Sequence, residues 1–300
     1  VDCMHRGIVI HTTSQTASPS ASPRRLPLLE ATMRDARSLF PGGSAGLLQL
    51  MYPPLGAAVA AQSDFFDDPF GRVYRSIPQI WATVLAPDGA ARALKVRDLH
   101  RSIKGRDNAG QSFHALDPET FWWAHATFTW EMFETRRLFY RRPLRAAQVA
   151  TLYAETVAWY QRYGMNLRPV PPDYDSFVAK FESVCADELQ LTPAAQRVLE
   201  MALAGEWRPP LIHANFKDPL TRSTGRAMVI GCLPPAVRER FGIPWSRADQ
   251  RQLERANFVI TNTFEALPSK VHRFALRTGL RVVGSWTRGE RFVPDGRVES

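Results

Sequence analysis

The sequence is poor in cysteine, and its few cysteines form no recognisable site. Cys3, Cys185 and Cys232 lie far apart, are odd in number and make no Cys-x-x-Cys pair. This spacing excludes a disulfide framework and a cysteine-based zinc site, and it suits a reducing compartment. We therefore expect a cytoplasmic protein.

Long hydrophobic runs are also missing. The most apolar and aromatic stretch, residues 121–133, is too short to cross a bilayer and includes His125 and Glu131. Residues 1–25 are rich in Ser, Thr and Pro and hold no apolar segment as long as a signal-peptide core. We interpret residues 1–25 as a disordered leader without an export signal.

Acidic residues are outnumbered. The chain has 38 Lys and Arg against 29 Asp and Glu, a formal net charge of +9. The arginines are scattered rather than set in a block with aromatic residues, so we expect no nucleic-acid partner. Three interpretations stay open: solvated faces, a basic surface for peripheral contact with a membrane or an acidic partner, and arginines that hold an anionic cofactor group.

Helical periodicity is what the sequence does have, whereas alternating patterns of strand length are scarce. We predict an all-α fold with one large helical domain over residues 26–290 and a tail over 291–300. The best strand-like pieces, Met228–Ile230 and Phe258–Ile260, are short and ambiguous.

Three of the seven histidines lie between residues 96 and 134. His100 falls on a helix predicted over 89–104, which Asp88 would cap and Gly105 would end. His114 falls in a predicted loop over 106–116.

His125 falls on a nearly all-apolar helix that Asp117 and Pro118 would start and that runs to about Tyr140. A single histidine on such a face is commonly a neutral imidazole bonded to a backbone carbonyl.

Two familiar kinds of enzyme do not fit this pattern. Zinc hydrolases need paired histidines at helical spacing, and no His-x-x-x-His is present. Gly42–Gly46 matches the letters of the G-x-S-x-G elbow, but a helix and Pro41 precede it instead of the required strand. Haem does fit, because one imidazole from an apolar helix can hold the iron.

Haem also requires partners for its propionates. Arg72 and Ser76 are four residues apart on one predicted helix, so a guanidinium and a hydroxyl share a face. The alternative is a surface arginine that pairs with Asp67 or Asp68. Spacing alone leaves both open.

The sequence resembles the oxygenase domain shared by the latex-clearing rubber oxygenases and the MpaB-type oxygenases of the mycophenolic-acid pathway. The similarity is strongest over residues 43–164 and weaker to about residue 245. The motifs that carry it are LLQLMYPPLGAAVAAQSDFFDDPFGRVYRS, VRDLHRSIKG, GQSFHALDPETFWWAHATFTW, LYAETVAWYQRYG and LPPAVRERFGIPW.

This resemblance implies haem b in a globin-related helical core. Arg72 and Ser76 look like the family's Arg-x-x-x-Thr pair near the haem, with serine in place of threonine. His100 is then the expected axial ligand. His125 resembles a second signature histidine, which we take as a pocket residue and the fallback ligand. Pocket aromatics that would pack against haem or substrate are Phe121, Trp122 and Phe128.

Two departures from the rubber oxygenases put cleavage of rubber in doubt. A lysine that caps the iron in those enzymes is Arg75 here, and arginine stays protonated. Their upstream glutamate base has no counterpart, since residues 41–63 contain no carboxylate.

The resulting prediction is a haem b-dependent oxygenase that uses dioxygen on an apolar organic substrate such as a lipid, terpenoid or polyketide. One alternative is a haem peroxidase or monooxygenase with His114 or His125 as its acid–base residue. Others are a haem-free or degenerate helical binding or scaffold protein, and a binder of nucleic acid or membrane surfaces.

Overall fold

The described part of the chain is mostly helical, as the periodicity predicts. The computed structural model describes residues 26–61, 65–66, 69–206, 219–285, 291–292 and 298–299. The predicted leader, 1–25, lies outside them, and the predicted domain boundaries stay predictions. The α-helices are α1 (Pro27–Met33), α2 (Gly42–Met51), α3 (Pro53–Ala60), α4 (Pro69–Leu85), α5 (Gly89–Leu99), α6 (Pro118–Phe139), α7 (Ala146–Arg162), α8 (Tyr174–Asp187), α9 (Pro193–Leu203), α10 (Pro219–Cys232), α11 (Pro235–Arg240), α12 (Arg247–Ala266) and α13 (Ser269–Ser285).

A short 3₁₀-helix and two small hairpins complete the described elements. The 3₁₀-helix, Ala36–Leu39, follows α1. Strand β1 (Lys104–Arg106) pairs antiparallel with β2 (Ser112–His114), and β3 (Arg291–Phe292) pairs in the same way with β4 (Val298–Glu299).

Helix α6 lies at the centre of the fold and begins where local signals predict. The Asp117 carboxylate accepts hydrogen bonds from the N–H groups of Glu119 (3.0 Å) and Thr120 (3.3 Å). Pro118 occupies the first turn, where no N–H is needed. Helix α6 packs against α1, α2, α7 and α12. More than half of its 22 residues are buried, so the prediction of a central buried helix is confirmed.

Large aromatic side chains fill the core around α6, and two of the buried indoles find hydrogen-bond partners. Trp123 on α6 donates to the Leu48 carbonyl (3.1 Å) of α2. Trp159 on α7 donates to the Thr83 hydroxyl (2.7 Å) of α4. These bonds fix the rings, and thereby the spacing of the helices, beyond what apolar burial alone would do.

The region after α5 differs from the sequence-based prediction. Helix α5 ends at Leu99 instead of 104, and residues 104–114 form the β1–β2 hairpin, which replaces the predicted helix end and most of the loop predicted over 106–116. Gly105 lies in β1 opposite Phe113, where an added Cβ would approach the Phe113 ring to 3.2 Å. Its role is close strand packing and not the end of a helix.

Two further local features can now be assigned. Asp88 occupies the N-cap position of α5, as predicted, but its carboxylate makes no capping hydrogen bond and accepts one from the Arg92 side chain (2.6 Å). The ambiguous pieces Met228–Ile230 and Phe258–Ile260 are helical and lie inside α10 and α12. Short apolar runs do not distinguish a buried strand from a helix.

Helix α1 is held by a carboxylate from α7. Glu155 is buried, and its Oε2 accepts a hydrogen bond from the Leu29 N–H (2.6 Å) in the first turn of α1. Tyr153, two residues earlier on α7, donates its hydroxyl proton to the Pro171 carbonyl (2.6 Å). Tyr153 and Glu155 therefore both have structural partners, which the sequence did not reveal.

We predict that Glu155→Ala lowers the free energy of unfolding by about 2 kcal/mol, since it leaves the buried Leu29 N–H without an acceptor. Glu200→Ala is the matched control, because the exposed Glu200 accepts a bond from Gln196 on its own helix and should cost about 0.5 kcal/mol or less. Urea unfolding of both variants checks the difference. Equal losses would contradict a special role for Glu155.

Candidate functional site

His100 lies at the end of α5 with one ring nitrogen fixed and the other free for a ligand. Its Nδ1 is 2.7 Å from the Val96 carbonyl oxygen. Because a carbonyl oxygen can only accept a hydrogen bond, Nδ1 must be the donor and carries a proton. The Nε2 lone pair then has no partner among the described residues. The side chain is half-buried.

Phe121 connects His100 to the aromatic centre of the protein. The two rings meet edge to face, with centroids 6.3 Å apart. Phe121 also contacts Tyr160 (6.0 Å) and Tyr163 (5.3 Å) on the C-terminal side of α7. One face of the site is therefore a continuous set of aromatic rings between α5, α6 and α7.

His125 lies on the other side of these rings and is buried. Its Nε2 donates to the Thr156 carbonyl (3.0 Å) of α7, and its Nδ1 has no partner in the described structure. Trp159 (4.7 Å) and Tyr160 (5.1 Å) pack against its ring. Burial lowers the pKa of His125 to about 4, so the imidazole is neutral at pH 7.

The third histidine of the segment, His114, has both nitrogens engaged by the backbone. Its Nε2 lies 3.1 Å from the Arg101 carbonyl, and its Nδ1 accepts the Leu116 N–H (3.0 Å). These bonds hold the β1–β2 hairpin against the end of α5. His114 keeps no lone pair for a ligand.

The two remaining aromatic predictions have different surroundings. Phe128 packs against Trp81 and Trp159, each with centroids 6.1 Å apart, and so belongs to the rings around His125. Trp122 is buried, and the Lys180 ammonium lies 3.9 Å from its ring centroid.

Arg72 and Ser76 both lie on α4, as predicted, and α4 packs against α5. Ser76 is exposed. The side chain of Arg72 lies outside the described residues, so its pairing with an anionic group stays a prediction.

Glu131 is a buried carboxyl within the apolar and aromatic run 121–133, and the sequence alone assigns it no role. Both of its oxygens lack partners among the described residues, and the α2 backbone at Gly42 comes so close that an added Cβ would lie 3.1 Å from Oε1. Burial raises the pKa of Glu131 well above its ordinary value. The only sequence signal was a carboxylate within an apolar run.

Neither a multi-residue metal site nor a membrane span is found in the described ranges. No three His, Cys, Asp or Glu side chains there come together as a metal would require. No helix among the same residues is long and apolar enough to cross a bilayer.

Among the described histidines, His100 and His125 each keep one ring nitrogen without a partner beside the aromatic rings between α5, α6 and α7. Comparison with protein families then identifies the family. The family model described as "ER-bound oxygenase mpaB/B'/Rubber oxygenase, catalytic domain" matches residues 31–262. The chain therefore belongs to this oxygenase family, as the motifs indicated. Searches among curated proteins and among solved structures gave no match.

We predict that Glu131→Gln stabilises the protein at neutral pH. The unfolded chain loses the Glu131 proton above about pH 4.5, whereas the raised pKa keeps that proton in the folded state. The free energy of unfolding therefore decreases as the pH rises from 4.5 towards the pKa of Glu131 in the folded state. Glutamine does not titrate, so this decrease should be absent in the variant. The free energy of unfolding at pH 7 should therefore be higher in Glu131→Gln than in the wild type. Glu182→Gln, at an exposed position, should change little.

His125 should give the opposite dependence. Its pKa falls from 6.5 to about 4 on folding, so the unfolded chain binds the additional proton between these values. Stability then rises with pH over that window by about 1.4 kcal/mol per unit, and His125→Gln should remove this slope. Between pH 4.5 and 6.5 the two slopes oppose each other in the wild type, so chemical unfolding of each single variant across pH 4–8 separates them. An unchanged slope in His125→Gln would contradict the neutral buried imidazole.

Proposed function

We propose that this protein is a haem b-dependent oxygenase that acts on an apolar organic substrate. Membership of the oxygenase family supports the reaction class. Haem dependence and the nature of the substrate are inferred from the residues around the histidines. The helices around α6 would then form a globin-related haem core.

The hydrogen bond between His100 Nδ1 and the Val96 carbonyl is the observation that carries the proposal. Histidines that bind metals commonly donate one ring N–H to a carbonyl or carboxylate, which orients the ring and raises the basicity of the other nitrogen. His100 has this arrangement through Val96, at 2.7 Å. His100 Nε2 would therefore hold the haem iron.

His125 fits the axial role less well. Its Nε2 is bound to the Thr156 carbonyl, and its available Nδ1 lies inside the packed core. We keep it as a pocket residue and as the fallback ligand. Its Nε2 proton is bonded to the Thr156 carbonyl and its Nδ1 is buried in the core, which argues against His125 as the acid–base residue of a peroxidase.

The remaining predicted residues would position the cofactor and substrate. Arg72 and Ser76, on α4 beside α5, would bind the haem propionates. The aromatic residues Phe121, Trp122 and Phe128 would pack against haem or substrate and exclude water.

When bound, haem b would supply the binding and activation of dioxygen. The protein would supply a dry, apolar surface that holds the substrate, so we expect a lipid, terpenoid or polyketide. Arg75 and the carboxylate-free stretch 41–63 argue against cleavage of rubber by the rubber oxygenases' own mechanism. Two buried, unpaired cysteines, Cys185 and Cys232, are consistent with a cytoplasmic location.

We predict that the protein purified from cells supplied with a haem precursor shows a strong Soret band with about one iron per chain. His100→Ala should lose the band, whereas His125→Ala and His114→Ala should retain it. His114 is the matched control, because it lies in the same segment but has both nitrogens bonded to the backbone. Visible absorption and iron analysis provide the measurements.

A cavity variant separates ligation from folding. In His100→Gly, added imidazole should restore the Soret band if the side chain binds iron. Loss of the band only in His125→Ala would move the axial position to the fallback residue. A colourless wild-type protein after haem supply would reject the haem proposal and favour a haem-free binding or scaffold protein.

A further inference from the structure

Helix α13 is strongly basic and lies beyond the part of the chain that matches the oxygenase family. The family match ends at residue 262, and α13 begins at Ser269. Its sequence, SKVHRFALRTGLRVVGS, contains no carboxylate. The four basic residues in it are Lys270, Arg273, Arg277 and Arg281.

One face of α13 is anchored to the body of the protein. His272 is buried, with Nδ1 3.0 Å from Asp35 Oδ2 and Nε2 3.1 Å from the Leu267 carbonyl. Leu276, one turn later, is also buried. Asp35 itself is fixed by Arg37, which donates two side-chain hydrogen bonds to it. These contacts fix which face of α13 points outwards.

The outward face combines exposed apolar side chains with positive charge. Phe274 is 69% exposed and Val271 is 39% exposed. Phe274 lines a surface pocket of about 450 Å³ together with Lys270, Arg273, Arg277 and Thr278. What distinguishes this face is the combination of exposed apolar side chains with several cations on one amphipathic helix, a pattern typical of helices that bind a membrane surface.

We propose that this face of α13 docks on the surface of an anionic lipid bilayer. A basic amphipathic helix with an aromatic residue on its apolar side is the type that lies in the membrane interface. The cations would approach the lipid phosphates and carboxylates, and Phe274 and Val271 would enter the boundary between headgroups and acyl chains. Valine offers no surface on which a base could stack, so lipid explains the face better than nucleic acid.

The docking would bring the site to the compartment where an apolar substrate dissolves. Helix α13 packs against α4, the helix that carries Arg72 and Ser76. The proposal itself does not depend on haem, because it rests on α13 alone. A protein without a Soret band could still bind vesicles.

The test is flotation of the full-length protein with vesicles of phosphatidylcholine alone or with about one-third phosphatidylserine. We expect binding to the anionic vesicles that weakens as salt is raised. Phe274→Ala should reduce the partition coefficient about tenfold, from the apolar area lost. Lys270→Glu should reduce it by a similar factor.

Two matched controls locate the surface. Phe258 on α12 is 70% exposed, like Phe274, and Lys95 on α5 is exposed, like Lys270. Phe258→Ala and Lys95→Glu should bind vesicles as the wild type does. All four positions are exposed, so unchanged circular dichroism is expected and should be checked for each variant.

Three outcomes would overturn the proposal. The first is no flotation with anionic vesicles at low salt. The second is equal loss of binding in Phe258→Ala and Phe274→Ala, which would mean general adhesion of exposed rings. The third is that duplex DNA displaces the protein from vesicles and that Phe274→Ala binds this DNA as tightly as the wild type. That result would mean that the basic face of α13 binds nucleic acid and not lipid.

Discussion

The burial of α6 on most of its sides is the constraint on which the rest of the structure depends. The buried polar side chains of this helix need hydrogen-bond partners within the protein, because water does not reach them. His125 meets this requirement through the α7 backbone, and Thr127 accepts a hydrogen bond from Gln49 (2.7 Å) of α2. These bonds fix the rotation of α6 relative to α2 and α7. The unpaired Glu131 shows where the requirement is not met.

The position of His100 follows from the early end of α5. Because the helix stops at Leu99, the His100 N–H donates to the Arg97 carbonyl (2.9 Å) and leaves the Val96 carbonyl available to the imidazole. The hairpin that follows then turns the chain back, and His114 holds it against Arg101. A single helix through residue 104 would have left the imidazole without this partner. The tautomer of His100 therefore depends on the chain reversal that follows α5.

Local signals predicted the elements that are set by adjacent residues. Asp117 and Pro118 start α6 as expected, since a cap and a proline act on the first turn only. Gly105 was wrongly predicted to end a helix, because the space around it is limited by Phe113 on the opposite strand, and helix-ending signals do not take such a contact into account. The family motifs pointed to the histidines, but only the fold separates them. Which ring nitrogen is free depends on carbonyl groups such as that of Thr156, 31 residues from His125.

The contact between Glu155 and the first turn of α1 also bears on the order of folding. Helix α1 has seven residues, too few to be stable as an isolated helix in water. Its stabilising acceptor lies 126 residues away in the sequence, on α7. Closing a loop of this length costs chain entropy, and the hydrogen bond can offset that cost only after the loop has closed. Helix α1 should therefore join late, after α6 and α7 have paired, and it should be among the first segments to exchange its amide protons when the native state opens locally.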